Sequence, residues 1–178
     1  MAFYALVLLM AAVPDQPWSC GADLGGTLLD RPGSGGGSGW RMGRALALGV
    51  TVGRRIRTTE LFLRVEGNYW TSLRSDQSHD AALAVNVGPG GEIRYAGGRL
   101  RTGGAAGLSI LAIPTDNDRA GSLGVFLELR PIGYLFHVDA ATTVGIDPLS
   151  FHLTVPVLTG IPLVEIEYRT SVHAERRF

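Results

Sequence analysis

Residues 163–174, LVEIEYRTSVHA, decide the fold. Val164, Ile166, Tyr168, Thr170, Val172 and Ala174 fall on one parity, while Glu165, Glu167, Arg169, Ser171, His173 and the following Glu175 fall on the other. A period of two with unlike faces is a strand, and no 3.6-residue period explains it. The same alternation recurs up the chain. Leu61, Leu63, Val65, Tyr69 and Leu73 oppose Glu60, Arg64, Glu66, Asn68, Ser72 and Arg74. Leu46, Leu48, Val50 and Val52 oppose Gly43, Ala45, Ala47, Gly49 and Thr51. Ala81, Leu83, Val85 and Val87 oppose Ala82, Ala84 and Asn86, and Ile93 and Tyr95 keep that parity past Gly88-Pro89-Gly90-Gly91. Leu100, Thr102, Leu108 and Ile110 oppose Arg99, Arg101 and Ser109, and Leu123, Val125, Leu127 and Leu129 oppose Glu128 and Arg130. Leu149, Phe151, Leu153 and Val155 oppose Ser150, His152 and Thr154. A weaker segment over residues 23–29 brings the count to eight strands.

Composition removes the other classes. The 178 residues are 46% hydrophobic and 18% charged, so a large apolar surface needs cover. No apolar run reaches the roughly 18 residues of a membrane helix. The 25 glycines and nine prolines disfavour long amphipathic helices. All 16 basic residues are arginine and are balanced by 16 acids, which excludes the basic excess of a nucleic-acid partner. The absence of lysine reads as a GC-rich genome. Cys20 is the single cysteine, so an internal disulfide and a multi-cysteine metal site are excluded. MAFYALVLLMAAVP over residues 1–14 has the apolar core of a secretory signal. Residues 1–21 are therefore expected to be an export segment and residues 22–178 a single barrel domain. Pro17-Trp18-Ser19 fits a lipoprotein anchor at Cys20 badly.

Connections and lengths point to a membrane. Polar stretches at 30–39 (DRPGSGGGSG), 75–79 (SDQSH) and 114–121 (PTDNDRAG) alternate with short turns at 54–58, 97–98 and 139–140, as in a hairpin meander, with a further link at 158–161. Most segments supply the about 9 to 11 residues that a tilted membrane strand needs. The outward faces carry almost no charge, and Glu60, Glu66, Glu92, Glu128, Glu165 and Glu167 share the other face with Arg64, Arg74, Arg94, Arg99, Arg101, Arg130 and Arg169. Trp40 and Tyr69 fall at the long-loop end and Tyr95, Tyr134 and Phe136 at the short-turn end, as an interfacial belt requires. Pro131, Pro148 and Pro156 each remove a ladder donor and so need bulges or strand ends. A bulge at Pro131 moves Ile132, Tyr134 and Phe136 outward and leaves His137 inward. The predicted fold is an all-β, up-and-down antiparallel barrel of about eight transmembrane strands.

With these strands, and with strings such as LELRPIGYLF (127–136) and DPLSFHLTVPVLTGIPLVEIEYRT (147–170), the chain resembles the small outer-membrane barrels of Gram-negative bacteria, including uncharacterised predicted barrels of GC-rich species. The resemblance implies an outer-membrane location, lipid around the wall, and recognition by the barrel assembly machinery through a last strand ending at Phe178. Counting back by twos from Phe178 meets Arg176, a departure from the apolar pattern of such strands.

No residue is assigned a catalytic, cofactor-binding or metal role. His152 and Thr154 resemble the histidine-x-serine pair of lipid A deacylases, with Glu165 or Glu167 as orienting acid, but threonine replaces serine and the parity turns both residues inward. His79, His137, His152 and His173 are too scattered for a metal motif, and Asp116, Asn117 and Asp118 lack the spacing of a calcium loop. The expected function is a structural or interaction role without turnover. The alternatives are a soluble lipocalin-like barrel with its apolar face around a ligand, and a lipid-modifying membrane enzyme.

Overall fold

The computed structural model describes residues 18–32, 41–42, 45–70, 82–114, 119–156 and 165–178. Its strands are β1 (Trp18–Pro32), β2 (Arg41–Met42), β3 (Ala45–Ile56), β4 (Thr59–Trp70), β5 (Ala82–Tyr95), β6 (Leu100–Pro114), β7 (Arg119–His137), β8 (Thr142–Pro156) and β9 (Glu165–Arg177). The two residues of β2 pair with Leu29 and Asp30 on the edge of β1 that β3 also occupies, so β2 and β3 form one stave and the wall has eight. All neighbours are antiparallel, and β1 pairs with β9 to close the barrel.

The stagger of that closure follows from the register. Ser19 pairs with Gly53, and the same level continues through Phe62, Gly90, Ala105, Glu128, His152 and Glu167 to Asp30. One circuit thus climbs from Ser19 to Asp30, 11 residues along β1, or ten once the extra residue at the Thr27/Leu29 bulge is discounted. Ten residues of about 3.3 Å against eight spacings of about 4.8 Å tilt the strands by about 40°. Side chains fill a barrel of this size.

The faces sort as the alternation requires. Leu46, Leu48, Val50, Val52, Val65, Leu83, Leu108, Ile110, Leu127 and Val172 are exposed on the outside, while Glu60, Arg64, Glu66, Asn86, Glu92, Arg101, Glu128, His152 and Arg169 are buried inside. Among the described residues, Phe62, Ala105 and Phe126 form a buried apolar cluster. The short connections are at Arg57-Thr58, at 96–99 and at 138–141. Gly97 and Gly98 take φ of 67° and 81°, which glycine adopts without cost. Arg57 and Ala96 also have positive φ, at 57° and 51°.

The prolines sit where a ladder tolerates them. The β7–β8 register shifts between Leu129 and Tyr134, around Pro131, and leaves Tyr134 and Phe136 exposed. The β8–β9 register shifts between Asp147 and Ser150, around Pro148, and Pro156 ends β8. Gly88-Pro89-Gly90-Gly91 does not interrupt β5, which stays in register with β4 throughout. There Gly88 packs so close to β6 that an added Cβ would lie 2.1 Å from the Ala106 carbonyl oxygen.

Several expectations are corrected. Arg99 is exposed in a turn and is no part of the interior set, because the 96–99 turn ends the alternation before it. β1 starts at Trp18, with Trp18 paired to Arg54 and Cys20 to Val52, so residues 18–21 stand in the wall. β9 continues to Arg177, and the Phe178 N–H donates to Trp18 O at 3.0 Å, with the reverse bond also 3.0 Å. Arg176 faces outward at the rim, which reconciles it with an apolar span. β6 reaches Pro114 and β7 begins at Arg119, which shortens the connection read at 114–121. Trp40, Arg74, the SGGGSG tract, the segment 75–79 with His79, Asp116, Asn117, Asp118 and the 158–161 link lie outside the described residues.

Candidate functional site in the barrel lumen

Inward parity forces charged side chains from every side of the barrel into one narrow space, where they must satisfy one another. At the short-turn end three carboxylates, Glu60, Glu92 and Glu175, converge from β4, β5 and β9. Their oxygens lie within 4.8 Å of one another, a spacing suited to a cation. The guanidinium of Arg94 supplies that charge, donating to Glu92 at 2.5 Å, to Glu60 at 3.0 Å and to Glu175. Arg55 donates to Glu60 at 2.8 Å and Ser19 Oγ to the same carboxylate at 2.5 Å. Arg101 bridges Glu92 at 3.0 Å and Asp147 at 2.5 Å, and its Nη2 lies 2.8 Å from His173 Nδ1.

A second network fills the middle. Arg64 grips Asp23 through both terminal nitrogens at 2.8 and 2.7 Å, and also meets Glu66 and, at 3.3 Å, Glu128. Arg169 holds Glu66 at 2.9 Å and contacts Glu167, which also accepts from Thr27 Oγ1 at 2.9 Å. Arg130 pairs with Glu128 at 3.3 Å and lies over the Phe62 ring at 5.7 Å. Between the networks a cavity of about 20 Å³ remains, lined by Asp23, Phe62, Glu92, Arg130 and Glu175 among others. That volume holds about one water. Truncating one member of such a buried set leaves a charge unpaired, so the pairs are mutually dependent.

The deacylase-like pair belongs to this packing. His152 is 1% exposed and stacks on Phe126, with centroids 5.8 Å apart. Asn86 Nδ2 donates to its Nε2 at 3.1 Å, which leaves the proton on Nδ1, 3.5 Å from Thr154 Oγ1. Glu167 is level with His152, but its carboxylate serves Arg169 and Thr27. The Thr154 hydroxyl thus lies inside the lumen, away from the outer face. His137 sits at the rim against Thr143 Oγ1 at 3.1 Å, and His173 joins Arg101, so the described histidines do not converge.

Three charged network members, Asp147, Asp23 and Arg55, were not placed inside by the sequence. Asp147 was hidden by the Pro148 bulge, since counting back from Ser150 turns it outward. The proline itself was the usable signal. Asp23 lies in the weak first segment and Arg55 beside a turn, whereas Glu175, on the charged parity of the last segment, is buried as that parity requires.

The rims differ from the lumen. Trp18 covers Arg54, whose guanidinium carbon lies 5.6 Å from the ring centroid. In the 138–141 turn the exposed Asp139 accepts from the Ala141 and Thr142 N–H groups at 2.7 Å each, and these bonds hold its carboxyl below the usual range.

The apolar set faces outward and the lumen holds ion pairs around a cavity of about 20 Å³. This corrects the lipocalin-like alternative, which needs the opposite sorting. No family model matches the sequence. A search of curated proteins also gives no match. Among solved structures, the chain is similar to Neisserial surface protein A, with a TM-score of 0.59 and 12% identity over 90% of this chain and 97% of that one. It is similar to Ail, the attachment invasion locus protein of Yersinia pestis, with a TM-score of 0.59 and 9% identity over 93% of this chain and all of that one. Ail in complex with the heparin analogue sucrose octasulfate aligns at a TM-score of 0.56 and 8% identity. At these identities the likeness is one of fold, and the fold is the closed eight-stranded antiparallel barrel of those proteins.

Proposed function

We propose that this protein is a non-enzymatic outer-membrane barrel of a Gram-negative bacterium, a rigid scaffold that acts by display and interaction through the connections opposite its short turns. One observation carries the reading: the wall is apolar outward around its circumference, while its charges are paired inside. An exposed belt of Leu, Val and Ile is costly in water and favourable in lipid. The filled lumen favours a scaffold over a channel. Ail, a barrel of the same fold, forms a complex with a heparin analogue, which supports an interaction role here. The earliest residues fit an export segment, and β9 with Phe178 fits the signal by which assembly machinery takes up a barrel.

Heat modifiability tests the proposal. In membranes from a Gram-negative host, the unboiled chain is expected in the outer-membrane fraction with a gel mobility different from the boiled chain. A soluble product without that shift overturns the proposal.

A further inference from the structure

Over the β1–β9 seam the outer wall is thin. Ala22 pairs with Ala174, and Val144 continues that level onto β8. One level further from the short turns stand Leu24, Val172 and Ile146. The two alanines floor an open apolar groove of about 620 Å³, walled by Leu24, Leu48, Phe136 and Ile146. One level nearer the rim, Cys20 and Thr142 both pair with Arg176, which is exposed and outward. In the short-turn half of the described wall, the outward charges are Arg54 and Arg176, both cations. Arg54 lies under Trp18, which leaves Arg176 as the accessible one. The acid on this rim, Asp139, accepts from two backbone N–H groups and lies within electrostatic reach of Arg176.

We infer that this groove is a binding site for one anionic glycerophospholipid of the surrounding membrane, with an acyl chain on the Ala22–Ala174 floor and the headgroup phosphate on Arg176. The inference rests on the membrane reading and adds a ligand to it. Charge complementarity selects the occupant: the apolar trough opens toward the exposed guanidinium of Arg176, whose planar donors match a phosphate. The lipid also covers a stretch of the seam that Ala22 and Ala174 shield only with methyl groups.

Native mass spectrometry of the refolded, delipidated full chain tests it, with phosphatidylglycerol and phosphatidylcholine of the same acyl chains as probes. The expected result is one phosphatidylglycerol retained per barrel in preference to phosphatidylcholine. Arg176→Gln should weaken retention about tenfold, the loss of one charge-assisted contact. Ala174→Phe, which fills the trough, should abolish it. Equal retention of both lipids by the wild type, or unchanged retention in Arg176→Gln, overturns the inference. Should Ala174→Phe lose heat modifiability, the single cysteine gives a second measurement without altering the floor. Bimane on Cys20 should be quenched by nitroxide-labelled phosphatidylglycerol with saturation at one lipid per barrel, and quenching that rises linearly with lipid fraction overturns the site. A barrel that is heat-modifiable but shows no preference refutes this inference and leaves the membrane reading standing.

Discussion

The sector β3–β5 and the sector β7–β9 solve the same packing problem in different ways. In the first, β3–β4 and β4–β5 run without a register break, and each inward position follows from its neighbour two residues away. In the second, the ladder breaks around Pro131 and around Pro148, each break advancing the inward set by one residue. The bulges turn Gly133 and Asp147 inward together, with the Asp147 carboxylate facing Arg101. Regular pairing fixes many charges at once, whereas a bulge aims one.

The largest expected effect tests the regular sector. Arg64→Leu leaves Asp23, Glu66 and Glu128 short of their shared cation and should destabilise the barrel by about 3 to 5 kcal/mol, read from urea unfolding in detergent. A loss below 1 kcal/mol would mean that neighbouring arginines take over its role. In the bulged sector, Asp147→Leu should cost about 2 to 3 kcal/mol, because Arg101 keeps Glu92 but loses its bidentate partner. Uninterrupted alternation places residue 147 on the apolar outer face, where the same change would stabilise, so the sign alone decides whether the bulge exists.

That sign marks where the sequence was legible. β4, β5 and β9 were readable because an apolar outer face and a charged interior make the two parities chemically opposite. β1 was weak because Gly21, Gly25 and Gly26 dilute its pattern and the Thr27/Leu29 bulge turns Leu28 and Leu29 outward together. Asp147 was unreadable by counting, and Arg99 was misplaced because a turn carries no parity. The pairing of particular arginines with particular carboxylates depends on the stagger around the circuit, which no local pattern contains. The seam groove was equally hidden, since Ala22 and Ala174 are distant in sequence.

Smaller effects separate the turns of the two sectors. Arg57 holds a positive φ of 57° in the β3–β4 turn, so Arg57→Gly should stabilise by about 1 kcal/mol in the same unfolding measurement. In the β7–β8 turn, Asp139 is held below the normal carboxylate range by backbone N–H groups. Its contribution is therefore present above its unfolded-state pKa and lost as pH falls through the lower folded value. Amide exchange at Thr142, corrected for intrinsic rate, should show reduced protection only at acid pH in the wild type. Asp139→Asn should show no such pH dependence, and a matching transition in that variant would refute the assignment.

The closing of the β1–β9 seam also sets a timetable. Successive hairpins join strands a few residues apart, but Ser19 and Arg177, 158 positions apart (177 minus 19), meet only when every intervening strand is in place. Such a distant pairing bears the largest loop-closure entropy and comes late. Until then β9 has an unpaired edge, able to hydrogen-bond with any other strand that reaches it first. Speed of closure, more than final stability, then governs how many chains become barrels.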